Sequence, residues 1–155
     1  MVIEIKRGPC SSCPYRKDVP SGVWEAEEYD KLSAYDGDIM YQPARWFMCH
    51  NQDNSLCRGW LDCHGEELLG VRLALAKGEL DIDEYKKAMA EDPLVPVFQS
   101  GAAAAKHGKK KVKKPTTEAQ KQVAKILENR RKNAAIRAKL KILETRRKEL
   151  EGRTT

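Results

Sequence analysis

Five cysteines and two histidines fall within the first 64 residues, as Cys10-Ser-Ser-Cys13-Pro14, Cys49-His50, Cys57 and Cys63-His64. The spacing is C-x2-C, a gap of 35 residues, then C-H-x6-C-x5-C-H. A C-x2-C turn brings two thiolates onto one ion, and a distant second group completes the coordination. An odd number of cysteines does not close into a disulfide framework, and a reducing compartment keeps thiols free. Two blander alternatives are buried, reduced cysteines filling small core gaps, and a disulfide scaffold. Scattered core cysteines, however, do not arrive as a close pair followed by a second close-spaced group. The pattern points to a metal or cluster site.

Cys10, Cys13, Cys49 and Cys57 are the first four candidate ligands, with His50, Cys63 and His64 as alternates. Four protein ligands close a tetrahedral zinc site, which makes Zn2+ structural, and such binding is coupled to folding. An iron–sulfur cluster is the alternative. Zinc knuckles often place glycine after the second cysteine, where this chain has Pro14. In bacterial ferredoxin-type runs a proline comes directly after a ligand cysteine. Tyr15, Trp46, Phe47 and Trp60 are near enough in sequence to shield a cluster from water.

The stretches CPYRKDVPSGVW, FMCHNQDNSLCRGWLDCHG and VPVFQSGAAAAKHG resemble a family of small uncharacterised Cys/His-rich proteins of actinobacteria and their phages. The resemblance covers about residues 8–108, and its sharpest pieces are C-P-[YW]-R, C-H and C-x-G-W. It implies that Cys10, Cys13, Cys49, His50 and Cys57 belong to the family's signature, and it brings no activity with it. A phage or actinobacterial accessory or regulatory protein is the setting it implies. The tail after residue 108 lies outside the resemblance.

Catalysis needs a nucleophile and base within mutual reach. Cys49-His50 and Cys63-His64 are neighbours in sequence, but neighbours along a strand point to opposite faces. No Ser/His/Asp set, paired catalytic carboxylates or phosphate loop stands out, and HGEEL has no second histidine for a zinc-protease motif. A redox C-x2-C lacks the βαβ context of a thioredoxin-like protein. The expectation is a binding protein with no catalytic residues. Arg16 and Lys17 could offset thiolate charge or simply belong to an exposed turn, and the three tryptophans read as core packing.

The elements that must position these groups are short. VIEI at residues 2–5 alternates as a strand, and Gly8-Pro9 ends it before Cys10. Residues 24–35 have helical spacing, and 45–50 (RWFMCH) have strand character. EELLGVRLALAK at 66–77 has a broad apolar face closed by Gly78, and a second helix starts at the N-cap Asp81 and stops before Pro93. LVPVF is extended. The fold class expected is α+β: an acidic metal-stabilised Cys/His domain over 1–100, a Lys/Ala-rich linker over 101–116, and a basic helix over 117–151. An N-cap at Thr116 or Thr117 starts that helix. A weak a/d register runs through Ile126, Asn129, Asn133, Ile136, Leu140, Leu143, Arg147 and Leu150.

Charge divides the chain in the same way. Residues 1–100 hold 11 Lys/Arg and 18 Asp/Glu, whereas 101–155 hold 18 Lys/Arg and 5 Asp/Glu, so −7 and +13 make up the net +6. Clustered cations bind polyanions through counterion release without reading sequence. The candidate nucleic-acid contacts are Lys109, Lys110, Lys111, Lys113, Lys114, Arg130, Arg131, Lys132 and Arg137. They lack interleaved aromatics, so phosphate contacts are expected and base readout is not. An acidic protein partner, docking on the acidic half, and homodimer pairing through the helix are the other partners considered. No apolar run approaches the roughly 20 residues of a membrane span, and the N-terminus lacks a secretory apolar stretch, so a cytoplasmic chain with no membrane partner is expected.

Overall fold

The computed structural model describes residues 3–51 and 54–151, apart from the side chain of Leu150. Strand β1 (Glu4–Ile5) pairs in parallel with β2 (Ser55–Leu56) in the register Glu4↔Ser55 and Ile5↔Leu56. Val2 of the expected strand lies outside the described residues. Residues 47–49 pair antiparallel with 55–57 as the two arms of a hairpin: Met48 bridges Leu56, Cys49 N–H donates to the Ser55 carbonyl at 2.8 Å, and Cys57 N–H to that of Phe47 at 2.8 Å. The strand character of RWFMCH is therefore realised only at its end; β1 falls within the alternating VIEI segment, whereas β2 is not signalled by hydrophobic periodicity.

Helix α1 (Ala26–Asp30) gives way to a 3-10 turn at Leu32–Tyr35, where one helix over 24–35 is expected. The apolar positions are nevertheless as spaced: Tyr29, Leu32 and Tyr35 are buried. Helix α2 (Arg58–His64), also without a periodic signal, follows the hairpin directly and buries Trp60 and Leu61. Helix α3 (Leu69–Ala76) buries Val71 and Ala74, and Gly78 takes φ +68° just beyond it, the left-handed geometry that glycine tolerates at a helix end. Helix α4 (Ile82–Ala90) begins where Asp81 accepts from the N–H groups of Asp83 and Glu84. The extended LVPVF segment then runs back under the C-x2-C loop, through Lys17 N–H to Pro96 O at 3.0 Å and Phe98 N–H to Tyr15 O at 2.9 Å.

Residues 101–109 are not a linker. They form helix α5 (Gly101–Lys109), with Gly101, Ala104, Ala105 and Gly108 buried. Ser100 and the Asp36 carboxylate cap its first turn, Asp36 accepting from Gly101 N–H at 2.6 Å and Ala102 N–H at 2.7 Å. A Cβ at Gly101 would stand 2.0 Å from the Leu32 carbonyl oxygen, and one at Gly108 2.0 Å from the Tyr29 ring. The absence of Leu, Ile and Phe, which suggests nothing to bury, is what lets α5 approach α1 and its 3-10 turn so closely.

Helix α6 (Thr117–Glu151) starts at Thr116, whose hydroxyl accepts from Ala119 N–H at 3.3 Å. Ala119 and Ile126 belong to the core, so Ile126 is not part of a solvent-facing a/d seam. Further along, Ile136, Leu140 and Leu143 are more than half exposed. Leu150 of that register lies outside the described side chains. The whole is a mixed structure of helices and a small two-stranded sheet with a long C-terminal helix. Among the described residues no helix is long and apolar enough to cross a membrane.

Candidate metal centre

Two backbone devices carry the four first-choice cysteines. The C-x2-C turn is closed by Cys13 N–H to Cys10 O at 3.0 Å, and Arg16 N–H to Cys13 O at 3.1 Å. In the hairpin, Met48 faces Leu56, which makes Cys49 and Cys57 diagonal neighbours on one face. The turn rests on that face. Cys13 Sγ lies 3.7 Å from Cys57 Sγ, and the Cys10 thiol interacts with both the Cys13 and Cys49 thiols. Electrostatic coupling runs Cys49–Cys10–Cys13–Cys57, with Cys13–Cys57 the direct sulfur contact, and joins segments 35 residues apart in the sequence.

The couplings form a chain and not a closed ring. Among the described residues, no group of three or more His, Cys, Asp or Glu side chains is arranged to hold a metal ion as it stands. All five cysteines are free thiols. The electrostatics favour protonated thiols here. Cys10 lies above the ordinary thiol range because of the Cys13 thiol, aided by burial, although Cys49 opposes the shift. Cys13 is pulled down by Cys10, but Cys57 and burial together hold it well above that range. A cation placed among these sulfurs would reverse the balance, since it stabilises thiolates and displaces their protons.

A surrounding layer fixes the turn. Asn51 Nδ2 donates to Ser12 Oγ at 2.7 Å, and Trp24 Nε1 donates to the Ser12 carbonyl at 2.7 Å. Arg16 pairs with Asp18 at 2.6 Å and also reaches the Cys10 carbonyl at 3.3 Å. It thus braces the loop backbone. Gly59, in α2, leaves the space Cys13 occupies: a Cβ there would lie 2.4 Å from Cys13 Sγ. Ser12, Asn51 and Gly59 do not stand out in the sequence as site residues, and only Gly59 carries a signal there, inside C-x-G-W.

The alternates have engagements of their own. His50 stacks on Trp24 at 4.4 Å between centroids and meets Glu28 at 3.0 Å. Burial holds His50 below its ordinary value against the opposing pull of Glu28. His64 meets the Tyr15 hydroxyl at 3.3 Å and lies 3.6 Å from Asp36. Cys63 is pushed up to about 12 by burial and by the carboxylates of Asp36 and Asp62. Each of the three is thus engaged with groups other than the four thiols.

The basic candidates are divided between the domain and solvent. Lys109 pairs with Asp30. Lys110, Lys111, Lys113 and Lys114 are exposed, but their backbone is anchored, because a Cβ at Gly22 would stand 2.6 Å from the Lys111 carbonyl oxygen. Arg130 lies over the Trp24 ring at 5.6 Å, a cation–π contact that ties α6 to the centre's surroundings. Arg131 and Lys132 are exposed, Lys132 pairing with Glu128 at 2.7 Å. Arg137 lines a cavity with His50, Asn51 and Asn133.

No curated protein and no solved structure matches the chain. A family model does match, over residues 5–131, so it reaches past the resemblance at 8–108 into the part of α6 that packs on the domain. The chain belongs to that family, described as a family of unknown function (DUF6283).

Proposed function

We propose that Cys10, Cys13, Cys49 and Cys57 bind one zinc ion that organises the domain, and that the basic C-terminal part carries this unit to nucleic acid. The observation that supports the metal is the contact between Cys13 and Cys57 in a run of four thiols from two distant segments. A tetrahedral site with Zn–S near 2.3 Å has sulfurs about 3.8 Å apart, and the Cys13–Cys57 separation is 3.7 Å. A cubane cluster puts each thiolate on a different iron and spreads the sulfurs further. Rotation of Cys10 and Cys49 about their side-chain torsions would close the set. The site has no open coordination position in this arrangement, so the role is binding and not catalysis.

The nucleic-acid part is supported by 18 Lys/Arg against 5 Asp/Glu after residue 100, most of them exposed. A protein-pairing role for α6 is the second reading, favoured by Ile136, Leu140 and Leu143, which are exposed by 55–58%. Salt decides between them: phosphate binding weakens steeply with ionic strength, and apolar pairing does not.

The test is elemental analysis with an absorption spectrum on protein purified without oxygen. One zinc per chain and no visible band is the expected result. Iron with sulfide and a band near 400 nm would replace zinc by a redox or sensing cluster, and no metal would overturn the proposal. In Cys13→Ser the metal and much of the fold should be lost together, read by circular dichroism. A variant that lacks metal but melts unchanged would show that the ion does not stabilise the domain.

A further inference from the structure

Helix α6 crosses the domain beside the thiol loops and leaves a cleft against them. Two adjoining cavities share Asn51 and Asn129: one of about 240 Å³, also lined by Arg130, Asn133 and Arg137, and one of about 100 Å³, also lined by Ser11, Gln122 and Lys125. Among the described residues lining them, none is Asp or Glu. Apart from His50, two serines and Ile126, the walls are cations and side-chain amides, a composition suited to a polar anion more than to an apolar ligand.

We infer that this cleft seats one phosphorylated nucleoside unit. Arg130 is held in place by its stacking on Trp24, so its guanidinium is oriented before a ligand arrives. Together with Lys125 it supplies charge for a phosphate. Asn129 and Asn133 lie one turn apart on the same face of α6, where both amides reach one ligand. Asparagine amides offer donor and acceptor side by side, the arrangement that matches a base edge or sugar hydroxyl. Gln122 adds a buried Oε1 with no hydrogen-bond partner among the described residues. A buried acceptor of that kind is costly until a donor reaches it, and a hydroxyl or ring N–H of a nucleoside is such a donor.

The cleft is also wired to the candidate metal centre. Asn51 forms part of its wall and holds Ser12, inside the C-x2-C turn, at 2.7 Å. This inference deepens the proposed nucleic-acid role and rests on it only for the source of the nucleotide, a free monophosphate or a unit of a strand.

The experiment uses full-length, metal-loaded protein with three probes: inorganic phosphate, thymidine monophosphate and a short thymidine oligonucleotide. The expected result is that thymidine monophosphate shifts the side-chain amide NMR signals of Gln122, Asn129 and Asn133. Asn129→Leu and Asn133→Leu, made separately at exposed helical positions, should each weaken its binding by roughly tenfold, with melting temperatures unchanged. If the oligonucleotide binds but both variants bind it as the parent does, the cleft is not the site and the nucleic-acid role stands. If the monophosphate binds in the cleft and the oligonucleotide does not bind, the cleft stands and the nucleic-acid role falls. Inorganic phosphate binding as tightly as the monophosphate would remove the nucleoside from the inference, and failure of all three probes would overturn both.

Discussion

At the scale of single residues, the environment of Cys13 offers the sharpest test of the centre. An alanine at Gly59 would put a methyl carbon 2.4 Å from Cys13 Sγ and 3.1 Å from Tyr15 Cβ. Glycine to alanine inside a helix gains up to about 1 kcal/mol of propensity, so the fold loses less than the clash alone suggests. Cys13 cannot keep its place, however. Gly59→Ala should therefore weaken zinc binding by roughly 10–100-fold, measured by competition with a chromophoric chelator, while the domain still folds. Unchanged affinity would remove Cys13 from the ligand set. His64 gives a pH dependence of different origin. Burial keeps it below its ordinary 6.5, outweighing the opposing Asp36 carboxylate. As pH falls below 6.5 the unfolded chain takes up a proton that folded His64 refuses, so stability present above that pH is progressively lost. The melting temperature should fall with acid over this range, and His64→Gln should reduce the dependence, leaving the part that buried His50 contributes.

At the scale of elements, the sequence is legible where periodicity or capping carries the information and opaque where contact does. Asp81 and Thr116 cap the helices as their side chains dictate, and Gly78 ends α3. Cys10 and Cys13 are legible as a pair from their spacing, because C-x2-C is a local turn. That Cys49 and Cys57 share a face is not, since it depends on the hairpin register and on a parallel partner from the start of the chain. Helix α5 reads as a linker for a physical reason: an Ala/Gly surface has little area to hide, yet it permits backbone approaches that larger residues forbid. This yields a test. Gly101→Ala meets the Leu32 backbone at 2.0 Å, where no side-chain rotation relieves the clash, whereas Gly37→Ala meets nothing within 4 Å. The first should cost about 2–3 kcal/mol or more in urea unfolding and the second within about 0.5 kcal/mol. Equal costs would mean that α5 does not dock as described.

At the scale of the whole molecule, the boundary between fold and extension lies inside α6 and not at residue 101. Removing residues 109–155 would take Ala119 and Ile126 out of the core and Arg130 off Trp24, so such a truncation should fail to fold. A cut after residue 137 instead removes a segment whose described side chains are all exposed. That segment still carries Lys139, Lys141, Arg146, Arg147, Lys148 and Arg153. The truncated protein should keep its melting temperature and metal content. If these six cations touch phosphates, the slope of log affinity against log salt should become shallower by up to about 5, while affinity for a mononucleotide in the cleft stays as it was. A slope that does not change would place the working cations on the anchored run at Lys110–Lys114 and on Arg130, nearer the thiols. The exposed end of α6, with Ile136 retained and Leu140 and Leu143 removed, would then be left with protein pairing as its use, and sedimentation of the two lengths at high salt would show it as a loss of association in the shorter one.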